Sequence, residues 1–465
     1  MFWRQATWLM RLILALGALA GFVLPQSASR ADILFTGVNL AGAEFGPHPT
    51  PGNLGTYGLN ADYFYPTAAE VDYYVGKGMN TFRLPFRWER LQHSQNAALD
   101  ATELSRMDTF VNYATSHGAY VIVEPHNFQR YYPDPNNFQQ SAQGLVGTDV
   151  PDSAFADFWS RLANEYKDDQ HVIFNLMNEP TTLPTEQLVV SENAAIAAIR
   201  DTGASNLILV PGNAYTGAWQ WTNNWYGTAN SVAMLNIVDP GNNYAFDVHQ
   251  YFDFDGSGTH TTIENNNTDT GVNRVTAFTN WMHLHNLHGF LGEFAVANSI
   301  IGSGDTQIGD ETVKKMLDYI EANDDVWLGW NWWAAGPKWG NYMFTLEPTN
   351  LGLPNQGADR AAMAVLQPYF AHPFTGDFNF DGTVDAADYT VWRDAFGATG
   401  AGQDADANID GLVDDGDYAI WKTNFGDSLA GAGGIATVPE PATFGLCLLG
   451  ALGVSARRPL SRRRR

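Results

Sequence analysis

Between Ile33 and about Phe370, short and nearly continuous apolar runs alternate with longer stretches whose apolar residues recur at helical spacing. The first pattern suits buried strands and the second suits helices with one buried face. Strands are predicted over Ile33–Leu40, Thr81–Phe86, Tyr120–Pro125, Val172–Met177, Leu207–Val210, Tyr244–His249, Gly289–Gly292 and Val326–Trp332. Helices are predicted over Ala68–Val75, Thr102–His117, Ser153–Lys167, Gln187–Asp201, Val272–Leu287 and Glu311–Ala322. Asp152-Ser153 offers a cap at one helix start, and Gly118 and Gly203 stand where two helices should stop.

Eight strands with helical crossovers predict an α/β fold, a TIM-type (β/α) eight-stranded barrel, whose chemistry sits at the C-terminal strand ends. Polar residues gather at those ends: Arg83 and Arg87, His126-Asn127, Asn178-Glu179, Asn213, His249 and Tyr251, Glu293, and Trp332-Trp333. A doubly wound open sheet is the other arrangement for such an alternation, but no Gly-rich phosphate loop follows any strand.

Fifty acidic against 25 basic side chains give a formal charge of −25, which disfavours a nucleic-acid partner. Arg4 and Arg11 precede the apolar stretch Leu12–Leu24, and Ser29-Arg30-Ala31 supplies small residues before Asp32. Residues 1–31 therefore read as a secretory signal peptide, a retained membrane anchor being the other reading. The one cysteine, Cys447, leaves no internal disulfide, so burial must hold the barrel together.

Asn178-Glu179-Pro180 and Gly292-Glu293-Phe294 each place one carboxylate where a buried strand meets a loop. Two acids on separate strands of one scaffold are what glycosidic bond cleavage requires. Across a barrel mouth they would stand about 5–5.5 Å apart, the spacing of retaining enzymes. A structural salt bridge is the plainer reading of either acid alone. Trp159 and Trp281 read as core, while Trp219, Trp221, Trp225 and Trp339 are candidates for stacking on sugars. His283, His285 and His288 read as a solvated helix face rather than a zinc site.

Over residues 33–370 the chain resembles the endo-β-1,4-glucanases of glycoside hydrolase family 5. The resemblance lies in Gly37-Val38-Asn39-Leu40-Ala41-Gly42, Phe82-Arg83-Leu84-Pro85-Phe86-Arg87-Trp88-Glu89 and Glu124-Pro125-His126-Asn127. It continues through Leu176-Met177-Asn178-Glu179-Pro180, His249-Gln250-Tyr251, Leu291-Gly292-Glu293-Phe294 and Trp332-Trp333-Ala334-Ala335-Gly336-Pro337. It implies double displacement on cellulose or related β-glucans with no catalytic cofactor. By position, Glu179 matches the family's acid/base and Glu293 its nucleophile. Arg83 matches the arginine that keeps the nucleophile ionised, Asn178 the ligand of the sugar 2-hydroxyl, and His126 and His249 the histidines of the catalytic subsite. Tyr251 matches the tyrosine that hydrogen-bonds the nucleophile, and Trp333 (or Trp332, one register away) the aromatic floor. A β-mannanase on the same barrel, or a polysaccharide-binding surface protein without activity, are the rival readings.

After Pro373 the composition changes: residues 374–428 hold twelve Asp, no Glu, and only Arg393 and Lys422 as cations. The segment from Asp377 repeats from Asp406, a period of 29 residues, as Asp-x-Asn-x-Asp-Gly with further Asp at loop positions nine and twelve. That spacing suits Ca2+. One loop would use Asp377, Asn379, Asp381, the Thr383 carbonyl, Asp385 and Asp388; the other Asp406, Asn408, Asp410, the Leu412 carbonyl, Asp414 and Asp417. With Tyr389, Trp392, Tyr418 and Trp421 behind them, the loops resemble type I dockerin modules, which implies a cohesin-like partner. The pairs Ala386-Ala387 and Asp415-Gly416 depart from the hydroxyl residues that usually make that contact.

Val438-Pro439-Glu440-Pro441, the apolar run Ala442–Ala456 and the terminal arginines resemble a PEP-CTERM sorting signal, which implies processing by an exosortase and release to the envelope or exterior. A simple membrane anchor is the other reading, although the run is shorter than the ~20 residues a spanning helix needs. The expected organisation is thus signal peptide 1–31, barrel 32–372, paired calcium loops 373–428, a Gly/Ala-rich linker 429–437 and the sorting signal 438–465.

Overall fold

The computed structural model describes residues 33–47, 49, 53–131, 144–302, 307–371, 376–378, 384–399, 405, 407 and 412–426. The expected signal peptide, linker and sorting tail lie outside them. Among the described residues no helix is long and apolar enough to cross a membrane.

Eight parallel strands close into a barrel: β1 (Phe35–Leu40), β2 (Thr81–Phe86), β3 (Tyr120–Pro125), β4 (Val172–Asn175), β5 (Ile208–Pro211), β6 (Tyr244–His249), β7 (Gly289–Phe294) and β8 (Trp327–Ala335). Each strand pairs with its sequence neighbours, and β1 closes the ring against β8 with Phe35 opposite Gly329. The helices Ala68–Val75, Ala101–Ser116, Asp152–Tyr166, Thr185–Asp201, Thr270–His285 and Ile308–Glu321 occur where periodicity places them, the first with its expected bounds and the others with ends shifted by at most three residues. Between β5 and β6 only three short helical pieces occur, Ala218–Gln220, Asn230–Ala233 and Met234–Asn236.

Two expectations change. Asp152 does not cap its helix; the N-cap is Pro151, and Asp152 instead accepts from Ser191 of the following long helix at 2.5 Å. A carboxylate shared between two packed helices thus wins over a local capping bond. β8 runs on to Ala335, so both Trp332 and Trp333 lie within the strand and face opposite ways.

The barrel interior is layered, as alternation along each strand dictates. Phe35, Ile122, Ile173, Leu209, Ala245 and Phe290 form an apolar floor near the N-terminal ends. Two residues further along their strands come Glu124, Asn175 and Asp247, fully buried polar groups that share the interior with Asn39 and Arg83. Two further still come His126 and His249. Gly292 makes room for this polar layer: a Cβ there would lie 2.3 Å from Oδ1 of Asp247.

In the C-terminal segment, helices Ala386–Ala395 and Asp415–Asn424 repeat each other's contacts at the 29-residue period seen from Asp377 to Asp406. Each opens with a capping box, Asp385 with Asp388 and Asp414 with Asp417. Trp392 donates to the Asp414 carbonyl at 2.8 Å, and Trp421 to the Asp385 carbonyl at 2.9 Å. Phe378, Trp392, Ala405 and Val413 form a small core of their own.

Candidate active site

Glu293 lies near the end of β7 and is 4% exposed. Its Oε1 accepts from Nη1 of Arg83 at 2.8 Å, and its Oε2 accepts from the Tyr251 hydroxyl at 2.7 Å. Burial pushes its carboxyl above the usual range, while His249 and Arg83 pull it back and Glu179 opposes them. Arg83 is itself fully buried; burial disfavours its charge, but Glu124, Glu293 and Asp247 more than restore it. The guanidinium also donates to Asn39 and to Asn178, each at 2.8 Å.

Glu179 stands in the loop after β4 with a left-handed backbone, φ +42°, uncommon outside glycine. Its Oε1 lies 2.8 Å from Nδ1 of His249, and the same nitrogen is 3.5 Å from Oε2 of Glu293. One oxygen of Glu179, one of Glu293 and a ring nitrogen of His249 all lie within 4.8 Å of one another. His249 pairs with Glu293 across a register shift after Val248, and such irregularities re-aim side chains. Burial works against the His249 cation, but Glu293, Asp247 and Glu179 raise its pKa to about 10. It therefore carries a positive charge between the two acids.

On the other side of the mouth, His126 stacks on Trp333 with ring centroids 5.7 Å apart and planes at 16°. Burial holds His126 well below its usual pKa, so its ring is neutral. Trp333 donates to the Tyr342 hydroxyl at 3.2 Å. Trp332 is fully buried and donates to the Phe344 carbonyl, so it belongs to the core, and Trp333 is the tryptophan that faces the site.

All eight expected barrel residues (Arg83, His126, Asn178, Glu179, His249, Tyr251, Glu293 and Trp333) thus meet at one mouth. Sequence reasoning missed the groups beneath them. Asn39 receives the Arg83 bond and donates to the Gly292 and Trp332 carbonyls. Glu124 lies 3.3 Å from Nη2 of Arg83, and Asn175 donates to Asp247 at 2.6 Å. Period-two spacing from an apolar interior residue was the signal that could have found Glu124, Asn175 and Asp247.

Trp159 and Trp281 are core, as expected. Trp221 is core too, packed against Phe246, Phe278 and Trp281, which corrects the sugar-stacking expectation for it. Trp225 is 54% exposed. Trp219 is half-buried with the Arg274 guanidinium 5.1 Å above its ring, and Trp339 stacks on Tyr342 at 4.0 Å. His283 bonds Asn323 at 3.0 Å, and the 283/285/288 histidines form no metal-ligand cluster among the described residues.

Of the expected calcium ligands, Asn379, Asp381, Thr383, Asp406, Asn408 and Asp410 lie outside the described residues. Asp388 and Asp417 are fully buried and Asp377 is 6% exposed, while Asp385 and Asp414 cap their helices and Leu412 sits at a bridge to Thr399.

The profile of the family described as Cellulase (glycosyl hydrolase family 5) matches residues 38–336. Endo-beta-1,4-glucanase A of Emericella nidulans is 39% identical over 363 residues, spanning 78% of this chain and 99% of that protein. Among solved structures, XacCel5A in complex with cellopentaose is 42% identical with a TM-score of 0.64, covering 72% of this chain and 99% of that one. The endo-beta-1,4-glucanase Xac0029 of Xanthomonas axonopodis pv. citri is 40% identical with a TM-score of 0.64, covering 72% and 98%. A barrel whose mouth joins two acids through His249, matched over most of its length by these relatives, makes the chain a member of the cellulase family, glycosyl hydrolase family 5.

Proposed function

We propose that this glycoside hydrolase is a retaining endo-β-1,4-glucanase that cleaves internal bonds of cellulose or related β-glucans. The observation that carries the reading is the approach of Glu179 and Glu293 within 4.8 Å. Retaining enzymes separate their carboxyl groups by about 5–5.5 Å, and inverting ones need about 6.5–9.5 Å to seat a water. Glu293, fixed through both oxygens, is the nucleophile. Glu179, with a side chain 19% exposed at the mouth, protonates the leaving oxygen and later takes a proton from water. His249 and Arg83 both lower the Glu293 pKa against burial and the nearby Glu179, which favours the ionised nucleophile. Asn178 binds the 2-hydroxyl and Trp333 floors the subsite. No cofactor takes part, as in the family's cellulases generally. Release of reducing ends from carboxymethylcellulose, with little from mannan, is the expected result; the reverse preference would make the enzyme a β-mannanase, and neither activity would end the catalytic reading.

The C-terminal segment is proposed as a dockerin-like module that folds around two Ca2+ ions. Support comes from the repeated Asp-x-Asn-x-Asp-Gly spacing, the two buried loop-end carboxylates Asp388 and Asp417, and the reciprocal tryptophan bonds. Each ion would be held by the carboxylate and carbonyl oxygens that this spacing presents. A cohesin-like partner, export through the signal peptide and exosortase processing of the tail complete the proposal; intact Met1 and Arg465 in the exported protein would overturn the two processing steps.

A further inference from the structure

Four buried side chains below the catalytic subsite close a ring that no expected role requires. Oε2 of Glu124 lies 3.1 Å from Nδ1 of His126. Nε2 of His126 lies 3.4 Å from Nδ2 of Asn178, whose Oδ1 accepts from Nη2 of Arg83 at 2.8 Å. Nη2 of Arg83 returns to Oε2 of Glu124 at 3.3 Å. Two strands and two loops contribute, since Arg83 is on β2, Glu124 is on β3, His126 follows β3 and Asn178 follows β4.

Only one assignment of protons suits the ring. Arg83 can only donate, so Asn178 must turn its oxygen to Arg83 and its NH2 to His126. His126 must then present a bare Nε2, and its proton must sit on Nδ1, where Glu124 accepts it. A neutral imidazole meets both demands, whereas an imidazolium would set N–H against N–H at Asn178. Among the described residues Glu124 makes no other hydrogen bond and its buried Oε1 has no partner, so its carboxyl serves this ring.

We propose that Glu124 is a positioning residue for the sugar 2-hydroxyl: by holding the His126 proton on Nδ1, it keeps the Asn178 amide turned with Nδ2 toward the His126–Trp333 wall. The hydroxyl part rests on the reading of Asn178 given above; the tautomer does not. Bonds to the 2-hydroxyl strengthen in the transition state of retaining enzymes, so a misdirected amide should lower kcat more than it raises KM.

The test uses the full chain with an aryl β-cellobioside and its analogue lacking the 2-hydroxyl on the sugar that carries the leaving group. Glu124→Gln retains an oxygen for His126 and Arg83 and should keep kcat within about five-fold. Glu124→Leu removes it and should lose about 10²-fold in kcat on the parent substrate, with KM little changed and less than about three-fold further loss on the 2-deoxy analogue. Equal losses on both substrates, or a Gln variant as impaired as the Leu variant, overturns the role. Nitrogen NMR of the histidine-labelled wild type reads the ring without any variant that must fold: protonation of His126 at Nδ1 is expected, and protonation at Nε2 overturns the ring. A correct tautomer with equal kinetic losses would show that the reading of Asn178 had failed while the ring had not.

Discussion

The hydroxyl of Tyr251 donates to Oε2 of Glu293 at 2.7 Å, on the carboxylate oxygen opposite the one that Arg83 holds. A nucleophile gripped on both oxygens keeps its orientation, and a hydrogen bond to its charged form favours ionisation. Tyr251→Phe should therefore reduce kcat about 10–100-fold, the worth of one hydrogen bond to a charged group. Losing the donor also raises the Glu293 pKa, so the acid limb of the pH–kcat/KM profile should move to higher pH. An unmoved acid limb would show that Tyr251 does not act on Glu293.

Glu179 and Glu293 differ in what surrounds them, and so should their variants. Glu179→Ala removes the proton donor, which an aryl cellobioside with a strongly acidic phenol does not need for its first step. Glycosylation of Glu293 should then proceed near the wild-type rate, with a burst of phenol followed by slow turnover. Azide needs no general base, so it should attack the glycosyl ester, expel the Glu293 carboxylate and give the β-glycosyl azide. Formation of the α-azide, or equal loss on activated and natural substrates, would be inconsistent with double displacement.

Away from the mouth, Glu347 accepts from the Gly336 N–H at 2.8 Å and so joins the two ends of the loop that carries Trp339 and Tyr342. Burial, then Glu70 from the Ala68–Val75 helix, raises its pKa to about 8, and Arg360 lowers it only in part. The unfolded value is about 4.3. A pKa raised on folding gives stability that is complete below the unfolded value and lost as pH rises through the folded one. Glu347→Gln keeps the bond to Gly336 and abolishes the titration. The variant should match the wild type in denaturant midpoint near pH 4 and exceed it at pH 8 by roughly a few kcal/mol of unfolding free energy. Parallel stability–pH curves for the two proteins would refute this.

The barrel strands were legible because parallel strands buried on both faces leave unbroken apolar runs, and the two acids stood out because each ends such a run. The polar layer did not stand out. Within Val121-Ile122-Val123-Glu124, a single acid reads as the end of a strand, and nothing local shows that its partners Arg83 and His126 wait on the same inner face. Asn39 and Asp247 find their partners on strands remote in sequence, Arg83 for one and Asn175 for the other. Burial of Trp221 was equally hidden, since a loop tryptophan becomes core only when Phe278 and Trp281 arrive from a later helix. Helix starts slipped for a related reason: Asp152 could cap its own helix or serve Ser191, and only packing decides between them.

The C-terminal repeat combines reciprocal bonds between its halves with a strongly acidic composition. Trp392 bonds to the carbonyl of Asp414, and Trp421 to that of Asp385, so each helix closes on the start of the other. Yet residues 374–428 carry twelve Asp against Arg393 and Lys422, and two of those acids, Asp388 and Asp417, are fully buried. Among the described residues, four buried apolar side chains form its core, with Tyr418 and Trp421 among those packed against it. If Ca2+ binds these loops, a chelator should unfold this segment while the barrel stays active on soluble β-glucan. Binding to the folded form alone stabilises by about 2.7 kcal/mol at a hundred-fold excess of ion over Kd. Calorimetry should accordingly show a separate transition that falls on chelation and returns with Ca2+, and Asp388→Ala should lower it without touching kcat. A melting profile indifferent to chelator and to Asp388→Ala would mean that the repeat holds together by its tryptophan bonds and small core alone.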